Sequence, residues 1–406
     1  MRRLSSRIAE RERSARFLNS LGVKELWAKF GISRVADISG FDVTGIPIWT
    51  ATRPLSLSIS INSGKGLNAM MARAGAIAEG IEFCFAERAQ PIQQQKTINQ
   101  MHQWRDFEIV PSEQWHLAKG AVITELSVFD WDIVAPIQQL DALKFLLPSG
   151  IIYLAEPEVS HLIRFQSSTN GWASGATKED AILHGLYEVV ERDSWTIWHY
   201  LAEKHAIWPP RFDFQNCDEP WCTDTLARLE EHSLKPVYFN ILTDTALPSI
   251  WTVLYDLSDR PAGIFSGFGT AWSWEQAMKR SLLEAIQSRA CYIAGARDDL
   301  FRRSFLLLKG IDQSSGYAQA MSRSIGTAFD CDSDLTWSIK DELSKVLGVL
   351  SEAGFNDFYV RDCGAPFASN PFNVVKVYAP CLEQWRCAYW QPTKRLGEFV
   401  SRYVTK

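Results

Sequence analysis

The sequence lacks the features that would place it in a membrane, in a secretory pathway or on nucleic acid. It has no apolar run of 18 residues, so no segment is expected to cross a membrane. Its charged start, MRRLSSRIAERERSARFL, has no apolar core of the kind found in a signal peptide. Basic residues are not in excess, since 42 Lys and Arg face 47 Asp and Glu. We therefore expect a soluble, cytoplasmic protein that does not bind nucleic acid or membrane.

Short motifs for metals, nucleophiles and dinucleotides are also missing. The eight cysteines include no CxxC pair, which disfavours a zinc knuckle and favours idle thiols. No GxSxG, HExxH or GxGxxG pattern occurs. The segment SGKG at 63–66 resembles a loop that leads into a helix, but it lacks the spacing of a Walker loop. Function must therefore be inferred from longer patterns.

Strand-like and helix-like segments alternate along the chain and predict an α/β fold, with mixed sheets flanked by long helices. Residues 1–30 are predicted to form a helical arm, and residues 31–406 the main domain. Helices are predicted at about 68–88, 178–204, 274–294 and 335–353, with Thr177 and Ser273 as N-caps. The segments predicted as strands are VADISG, GIPIWTATRP, LSLSISIN, IIYLAEPEV, LIRFQSS, PVYFNILTD, SIWTVLYDLSD, AGIFSGFGTA, FYVRD and VVKVYAP.

Three of the predicted helices share one polar pattern, A-x6-E-x2-(E/Q). It runs through Ala72, Glu79 and Glu82, through Ala181, Glu188 and Glu191, and through Ala277, Glu284 and Gln287. Residues three and seven apart lie on one helical face, so each helix carries a small residue and a polar pair on one stripe.

The stripes have two interpretations. Helices could pack closely at the alanines and direct the carboxylates toward a shared volume, where Mg²⁺ would balance their charge and bridge them to phosphates. The alternative is that they are solvent-facing pairs on ordinary amphipathic helices. Spacing alone does not decide between the two.

Longer segments carry a family resemblance. SGKGLNAMMARAGAIAEGIE, STNGWASGATKEDAILHGLYEVVERDS and AMKRSLLEAIQSRACYIAGARDDL are similar to the three signature blocks of YcaO-domain proteins, in the same order. RVADISGFDVTGIPIWTATRP resembles the segment that precedes the first block, and VVKVYAPCLE resembles a late strand. The likeness spans about 34–300 and adds this late strand.

The resemblance implies an α/β fold with an unusual ATP site. YcaO proteins use ATP and magnesium to phosphorylate the oxygen of a peptide backbone amide, after a nucleophile has added to the carbonyl. In one branch a Cys, Ser or Thr side chain of the peptide attacks, and the enzyme is an azoline-forming cyclodehydratase. In another branch a sulfide source attacks and the product is a thioamide. Both reactions belong to the maturation of ribosomally synthesised precursor peptides (RiPP biosynthesis).

By position in the blocks, the resemblance implies four metal ligands. Glu79 and Glu188 would bind one magnesium ion, and Glu82 and Glu191 would bind a second.

The nucleotide contacts are implied in the same way. Arg192 would touch the transferred phosphate, and Lys65 would contact phosphate or substrate. Asp180 of the second block would also bind ATP, and Gln287 and Arg289 would complete the nucleotide pocket.

The chain departs from the family pattern at three positions of these blocks. Gly75 stands where Ser is usual, Ala176 where Asn is usual, and Asp180 where Glu is common. Losing two polar contacts would weaken ATP binding by about 1 kcal/mol each if nothing replaces them. Azoline-forming members commonly finish in a PxPxP tail, whereas this chain finishes in GEFVSRYVTK, which favours thioamide formation or another amide chemistry.

The resemblance also implies partners. We expect a precursor peptide, an E1-like or TfuA-like partner protein, in the azole branch a flavin dehydrogenase, and a homodimer as the commonest oligomer. Two other functions stay open: a non-catalytic scaffold subunit that binds peptide or partner enzymes, and a metal-dependent hydrolase that uses the carboxylates.

Overall fold

The structure is a computed structural model, and it describes most of the chain. The described residues are 2–140, 142–154, 164–213, 219–258, 263–295, 297–299, 327–328, 337–367, 371–384 and 390–404.

Ten helices and fifteen strands lie within the described residues. The helices are α1 Arg2–Ser20, α2 Val23–Phe30, α3 Ala69–Glu87, α4 Ile98–Met101, α5 Ser149–Ile152, α6 Lys178–His205, α7 Pro220–Glu231, α8 Trp274–Ala294, α9 Ile339–Glu352 and α10 Lys394–Val404. The strands are β1 Arg34–Asp37, β2 Ile48–Thr52, β3 Ile61–Lys65, β4 Gln93–Thr97, β5 Glu108–Ile109, β6 Val128–Pro136, β7 Phe145–Pro148, β8 Trp172–Gly175, β9 Arg211–Asp213, β10 Leu234–Asn240, β11 Ser249–Asp256, β12 Ile264–Thr270, β13 Thr327–Ala328, β14 Tyr359–Asp362 and β15 Asn373–Tyr378.

The chain divides into two compact units, each made from two separate stretches of sequence. The first unit contains Met1–Gly80 and Trp198–Ser338, and the second contains Ile81–Ile197 and Ile339–Lys406. The predicted division into an arm at 1–30 and one domain at 31–406 stays a prediction.

The first unit contains two sheets. Strands β1, β2 and β3 form an antiparallel sheet in that order, and a five-stranded sheet has the order β12-β11-β10-β9-β13. Helix α8 packs on β11 and β12, and its side chains Leu282 and Ile286 are buried in a core that also includes Leu254 of β11. The core of this unit therefore lies between α8 and its sheet.

The second unit is built on one seven-stranded sheet. Its strands have the order β5-β7-β6-β14-β15-β8, and β4 pairs with β6 as well. Strand β15 lies between β14 and β8 and has the burial pattern of an interior strand, since five of its six residues are buried. Gly185 of α6 packs on it so closely that a Cβ atom would lie 2.7 Å from Cγ2 of Val377. The N-terminal half of α6 therefore lies against β15.

The long helices form where the sequence predicts them. The predictions at 68–88, 178–204 and 274–294 correspond to α3, α6 and α8 within one residue at each end. Both N-caps are confirmed: Thr177 Oγ1 accepts a hydrogen bond from the Asp180 N–H at 3.1 Å, and Ser273 Oγ accepts one from the Gln276 N–H at 3.3 Å. Residues Arg2–Phe30 are mostly helical as predicted, in α1 and α2.

Three strand predictions are wrong. In LIRFQSS, the described residues 164–168 form only an isolated bridge, between Phe165 and Leu117. The alternating segment LSLSISIN is mostly a loop, with Leu55 80% and Leu57 72% exposed, and the strand begins at Ile61. Alternation predicts a strand only where one face is buried, and nothing buries these leucines. The SGK residues, expected in a loop, complete β3. Ile151 and Ile152 of IIYLAEPEV lie in the short helix α5, while residues 155–163 lie outside the described residues.

None of the helices in the described ranges combines the length and the apolar character that a membrane span requires. Five cysteines fall within those ranges, and all five are free thiols: Cys84, Cys222, Cys291, Cys363 and Cys381.

A buried ionic cluster attaches the last helix to α6 in the second unit. The Arg395 guanidinium pairs with both carboxylate oxygens of Asp193, with one contact of 2.9 Å, and Asp193 also accepts the N–H of Glu383 at 2.7 Å. Glu383 accepts hydrogen bonds from the backbone N–H and the hydroxyl of Thr393. Burial raises the pKa of Glu383 to about 7 from an ordinary 4.5.

This pKa predicts how stability depends on pH. A raised pKa means that the folded protein holds the Glu383 proton more tightly than the unfolded chain does. Protonated Glu383 therefore contributes its full stabilisation below about pH 4.5, and this contribution is lost as the pH rises through about 7. Glu383→Gln removes this titration. From pH 5 to pH 8 the free energy of unfolding of the variant should rise relative to wild type, by up to about 3 kcal/mol. Urea denaturation at both pH values measures it.

The control is Glu352→Gln, at an exposed position at the end of α9. It should shift the free energy of unfolding equally at the two pH values. A pH-independent difference for Glu383→Gln would contradict the prediction.

Candidate functional site

The three striped helices pack in the same way against the strand that precedes each of them. The stripe alanines Ala72, Ala181 and Ala277 are fully buried. A Cβ atom on Gly64 would lie 2.1 Å from the carbonyl oxygen of Ala72, and one on Gly269 would lie 2.3 Å from that of Ala277. Gly175 stands in the same relation to the backbone nitrogen of Ala181, at 2.4 Å.

These contacts place backbone against backbone, which only glycine on the strand allows. The polar residues of each stripe follow two and three turns further along the helix. In each helix they therefore lie at a position that the glycine contact determines.

In the first unit, the residues on either side of Gly64 form a hydrogen bond and an ion pair with carboxylates of two helices. The Ser63 N–H donates a hydrogen bond to Glu79 of α3. The Lys65 ammonium pairs with Glu284 of α8 at 3.1 Å, and both side chains are about one quarter exposed. Strand β3 therefore carries an N–H group and a cation toward these two acids.

The charges around Glu79 have opposing effects on it. Burial raises the pKa of Glu79, the Ser63 hydrogen bond and the cations Arg297 and Lys65 lower it, and Glu284 raises it, with burial the largest effect. A bound cation would stabilise the charged form of such a carboxylate.

Arg297, in the RDD segment after α8, is held by Asp299 at 2.5 Å. This hydrogen bond raises the pKa of Arg297, so the guanidinium stays charged. The adjacent Asp298 accepts the N–H of Ser60 at 2.9 Å, which ties the segment to the start of β3.

The second unit holds Glu82, Glu188 and Glu191. Glu82 is 9% and Glu191 7% exposed. The Ser174 hydroxyl donates to Glu82 at 2.5 Å, and Ser174 immediately precedes Gly175. Glu188 accepts a hydrogen bond from the backbone N–H of Gly171. A donor on a neighbouring strand or loop therefore orients both of these carboxylates.

Glu188 lies among charges from two elements. Burial raises its pKa to about 7, Arg192 and Lys376 lower it, and Glu191 raises it. Lys376 of β15 is 3% exposed, and burial lowers its pKa to about 7. Arg192 is one quarter exposed and lies 3.8 Å from the Glu191 carboxylate.

Two residues expected at the nucleotide have structural partners. Asp180 is 4% exposed, and its carboxylate accepts the N–H of Ala176 at 3.1 Å, which closes the first turn of α6. Arg289 lies between the carboxylates of Asp42 and Asp256 in the first unit, with its side chain 8% exposed. Their roles toward a nucleotide stay predictions.

The other predicted positions are accessible in part or closely packed. Gln287 is half-buried on α8. A Cβ atom on Gly75 would lie 3.4 Å from Cα of Gly64, so Gly75 belongs to the contact between α3 and β3. Ala176 is 4% exposed beside the start of α6.

Within the described ranges, no group of three or more His, Cys, Asp or Glu side chains lies close enough together to hold a metal ion.

Several residues of these arrangements have no role predicted from the sequence. Glu284 is one of them, and its register in the third stripe, which matches that of Glu79 and Glu188, is the signal that could have assigned it a role. Ser63 and Ser174 each directly precede a strand glycine, and this Ser-Gly pair is a local sequence signal for the two donors. The only sequence signal for Lys376 is that a lysine interrupts the otherwise apolar strand VVKVY.

Solved structures share this fold. A heterocyclase in complex with substrate and cofactor superposes with a TM-score of 0.72 at 18% identity, covering 94% of this chain and 55% of that chain. The chain thus spans about half the length of that heterocyclase. YcaO from Methanopyrus kandleri, bound with AMPPCP and Mg²⁺, superposes with a TM-score of 0.69 at 20% identity, covering 94% of this chain and 93% of that one.

Two sequence relatives match most of the chain. An uncharacterised protein of Methanothermobacter thermautotrophicus is 30% identical over 87% of this chain and 90% of its own length. An uncharacterised protein in the tfuA 3′ region of Rhizobium leguminosarum bv. trifolii is 28% identical over 87% of this chain and 84% of its own. Residues 63–383 match the family described as YcaO cyclodehydratase, ATP- and Mg²⁺-binding. The chain belongs to the YcaO family.

The hydrogen bond from Ser174 to Glu82 generates a prediction for an ATP- and Mg²⁺-binding family member. Glu82 is a predicted Mg²⁺ ligand, and partners that orient a ligand typically contribute about 10- to 100-fold to metal affinity. Ser174→Ala should therefore raise the Mg²⁺ concentration needed for half-saturation by about tenfold. Calorimetric titration of Mg²⁺ in the presence of a nonhydrolysable ATP analogue measures this change.

Ser288→Ala is the matched control, because Ser288 lies on α8 and its hydroxyl donates to the Ser266 carbonyl of β12 at 3.0 Å. It should leave the Mg²⁺ requirement unchanged. Equal effects of the two variants would show that the Ser174 bond has no special role.

Proposed function

We propose that this protein uses ATP and Mg²⁺ to activate a backbone amide of a ribosomally synthesised precursor peptide. A nucleophile adds to the amide carbonyl carbon, the former carbonyl oxygen takes the γ-phosphoryl group, and phosphate then leaves with that oxygen. The observation that carries the proposal is the set of largely buried carboxylates on α3 and α6, three of which accept a hydrogen bond from a neighbouring strand or loop.

The chemistry of these side chains fits magnesium. Mg²⁺ prefers hard oxygen ligands and is usually held by one or two carboxylates together with phosphate oxygens. Two carboxylates for each of two ions meet that need without a cage of three protein ligands. We propose Glu79 and Glu82 of α3 and Glu188 and Glu191 of α6 as these ligands.

Cationic side chains would serve the nucleotide. Arg192 follows Glu191 directly and is partly exposed, so its guanidinium can reach a phosphate oxygen and stabilise charge that develops during transfer. Lys65 is held by Glu284 and can contact phosphate or substrate. Bound Mg·ATP supplies the phosphoryl group that turns the amide oxygen into a leaving group. Gln287, Arg289 and Asp180 are proposed at the nucleotide pocket.

The nucleophile decides the product. The heterocyclase fold likeness is in keeping with an azoline-forming cyclodehydratase. The relative in the tfuA 3′ region supports a thioamide-forming enzyme with a TfuA-like sulfur-delivery partner. A flavin dehydrogenase and an E1-like partner belong to the azoline alternative.

Nucleotide binding gives the first test. Glu188→Gln and Glu191→Gln keep the size of each side chain but remove a negative ligand, so both should abolish Mg²⁺-dependent binding of a nonhydrolysable ATP analogue. The expected loss is at least about 100-fold in affinity, which calorimetry can measure.

Glu203→Gln is the control on the same helix, because this partly exposed glutamate pairs with Lys204 at 3.1 Å. It should bind like wild type. A wild-type protein that binds no nucleotide at any Mg²⁺ concentration would overturn the proposal and favour the non-catalytic scaffold.

The product gives the second test. Purified protein is incubated with ATP, Mg²⁺, a precursor peptide and a TfuA-like or E1-like partner protein, and the mass of the peptide is measured by mass spectrometry. A loss of about 18 Da indicates azoline formation, and a gain of about 16 Da indicates exchange of oxygen for sulfur. Glu191→Gln should show neither change. An unmodified peptide with no ATP consumption in the complete wild-type mixture would contradict the activity.

A further inference from the structure

Gln384 is a buried glutamine whose side chain makes three hydrogen bonds in the second unit. It is 7% exposed and lies one residue beyond the segment that matches the family. Its Oε1 accepts from the Ser168 hydroxyl at 3.1 Å and from the Asn170 amide at 3.2 Å. Its Nε2 lies 3.0 Å from Nδ1 of His116.

His116 determines which way the Gln384 amide points. The other ring nitrogen of His116 lies 3.1 Å from the Pro380 carbonyl, which can only accept, so that nitrogen carries the proton. Nδ1 is then an acceptor and receives a hydrogen bond from the Gln384 Nε2–H group. Oε1 is therefore directed at the two donors of the Ser168–Asn170 loop.

The backbone of Gln384 is attached to α6 just after the acidic stripe. Thr196 donates its hydroxyl to the Gln384 carbonyl at 3.2 Å. One turn earlier on the same helical face, Asp193 accepts the N–H of Glu383 at 2.7 Å. The position of Gln384 relative to α6 is therefore held at two points.

The loop that Gln384 contacts leads directly to a carboxylate of the stripe. Lys376 donates to the carbonyls of Ser168 and Asn170 at 3.2 and 2.5 Å. The next residue, Gly171, has a φ of +81° and passes between β15 and α6. A Cβ there would lie 2.2 Å from the Val377 carbonyl oxygen and 2.9 Å from Val189. Its N–H is the group that donates to Glu188.

We propose that Gln384 is a positioning residue for Glu188. By holding Ser168 and Asn170 together with His116, it keeps the Gly171 N–H directed at the Glu188 carboxylate. The proposal rests on the proposed function, in which Glu188 binds Mg²⁺. In this role Gln384 acts through the Ser168–Gly171 loop and not by its own contact with metal or substrate.

Glutamine suits this position because one side chain must both accept two hydrogen bonds and donate one. An apolar residue of the same size would leave the Ser168 hydroxyl, the Asn170 amide and the His116 ring nitrogen without this partner in a buried place. Buried polar groups that lose a partner move or admit water. The loop, and with it the Gly171 N–H, would then lose its fixed position.

Gln384→Met tests the proposal with two readouts. In the metal-free protein, amide hydrogen exchange at Gly171, followed by NMR, should become at least about tenfold faster, because the Glu188 bond protects it. The Mg²⁺ concentration for half-saturation in the presence of a nonhydrolysable ATP analogue should rise about tenfold. Unchanged exchange together with an unchanged Mg²⁺ requirement would overturn the proposal.

Tyr153→Phe is the matched control. It removes a buried hydrogen bond of 2.8 Å to Asp132 in the same unit, but not one to the Ser168–Gly171 loop. It should lower stability and leave both readouts at wild-type values. If it changed them as much as Gln384→Met, loss of stability alone would explain the effect and the proposal would fail.

Two milder variants cover the case in which Gln384→Met does not fold. Ser168→Ala and Asn170→Ala each remove one donor to Gln384, and each should move both readouts in the same direction by a smaller factor. Wild-type values in both would contradict the proposal.

If wild type shows no Mg²⁺-dependent nucleotide binding, the proposed function fails, whereas faster exchange at Gly171 in Gln384→Met would still support the positioning role. If wild type binds and the variants match it, only the positioning role fails.

Discussion

The burial of several carboxylates is the constraint on which the rest of this structure depends. A buried carboxylate is costly unless a hydrogen-bond donor or a cation compensates for the lost water. Glu79 receives the Ser63 N–H, Glu82 the Ser174 hydroxyl and Glu188 the Gly171 N–H. In each case the donor comes from a strand or loop outside the helix that carries the acid. The strands must therefore stay in register with the helices for the acids to be tolerated.

Close packing at small residues maintains that register. Gly64, Gly175 and Gly269 each bring a strand backbone against a helix backbone at a stripe alanine. Any side chain on these glycines would separate helix from strand. The donors next to two of these glycines would then move away from the carboxylates they orient. Adjacent residues of the same strands therefore provide both the close packing against the helix and the hydrogen bond to its carboxylate.

Much of the fold was predictable because its long helices depend on local signals. Thr177 and Ser273 begin helices as their cap chemistry predicts, and the three striped helices end within a residue of their predicted bounds. The alternating pattern at Leu55 and Leu57 predicted a strand wrongly. Such a pattern indicates a strand with one buried face, but both leucines are exposed. The segment at Ile151 was likewise ambiguous, because short apolar runs suit a helix or a strand equally well.

For the candidate site, the sequence alone determined the residue types and their spacing on each helix. The acidic stripes, the family blocks and the acids at Glu79, Glu82, Glu188 and Glu191 could all be found there, because helical periodicity is a local property. Only the tertiary structure decided which groups meet those acids. Lys376 follows Glu188 by almost 190 positions and reaches its surroundings only because β15 packs under α6. The Arg289 guanidinium likewise forms ion pairs with Asp42 and Asp256. Such pairs depend on distances in the folded chain, which the spacing of residues along the sequence does not reveal.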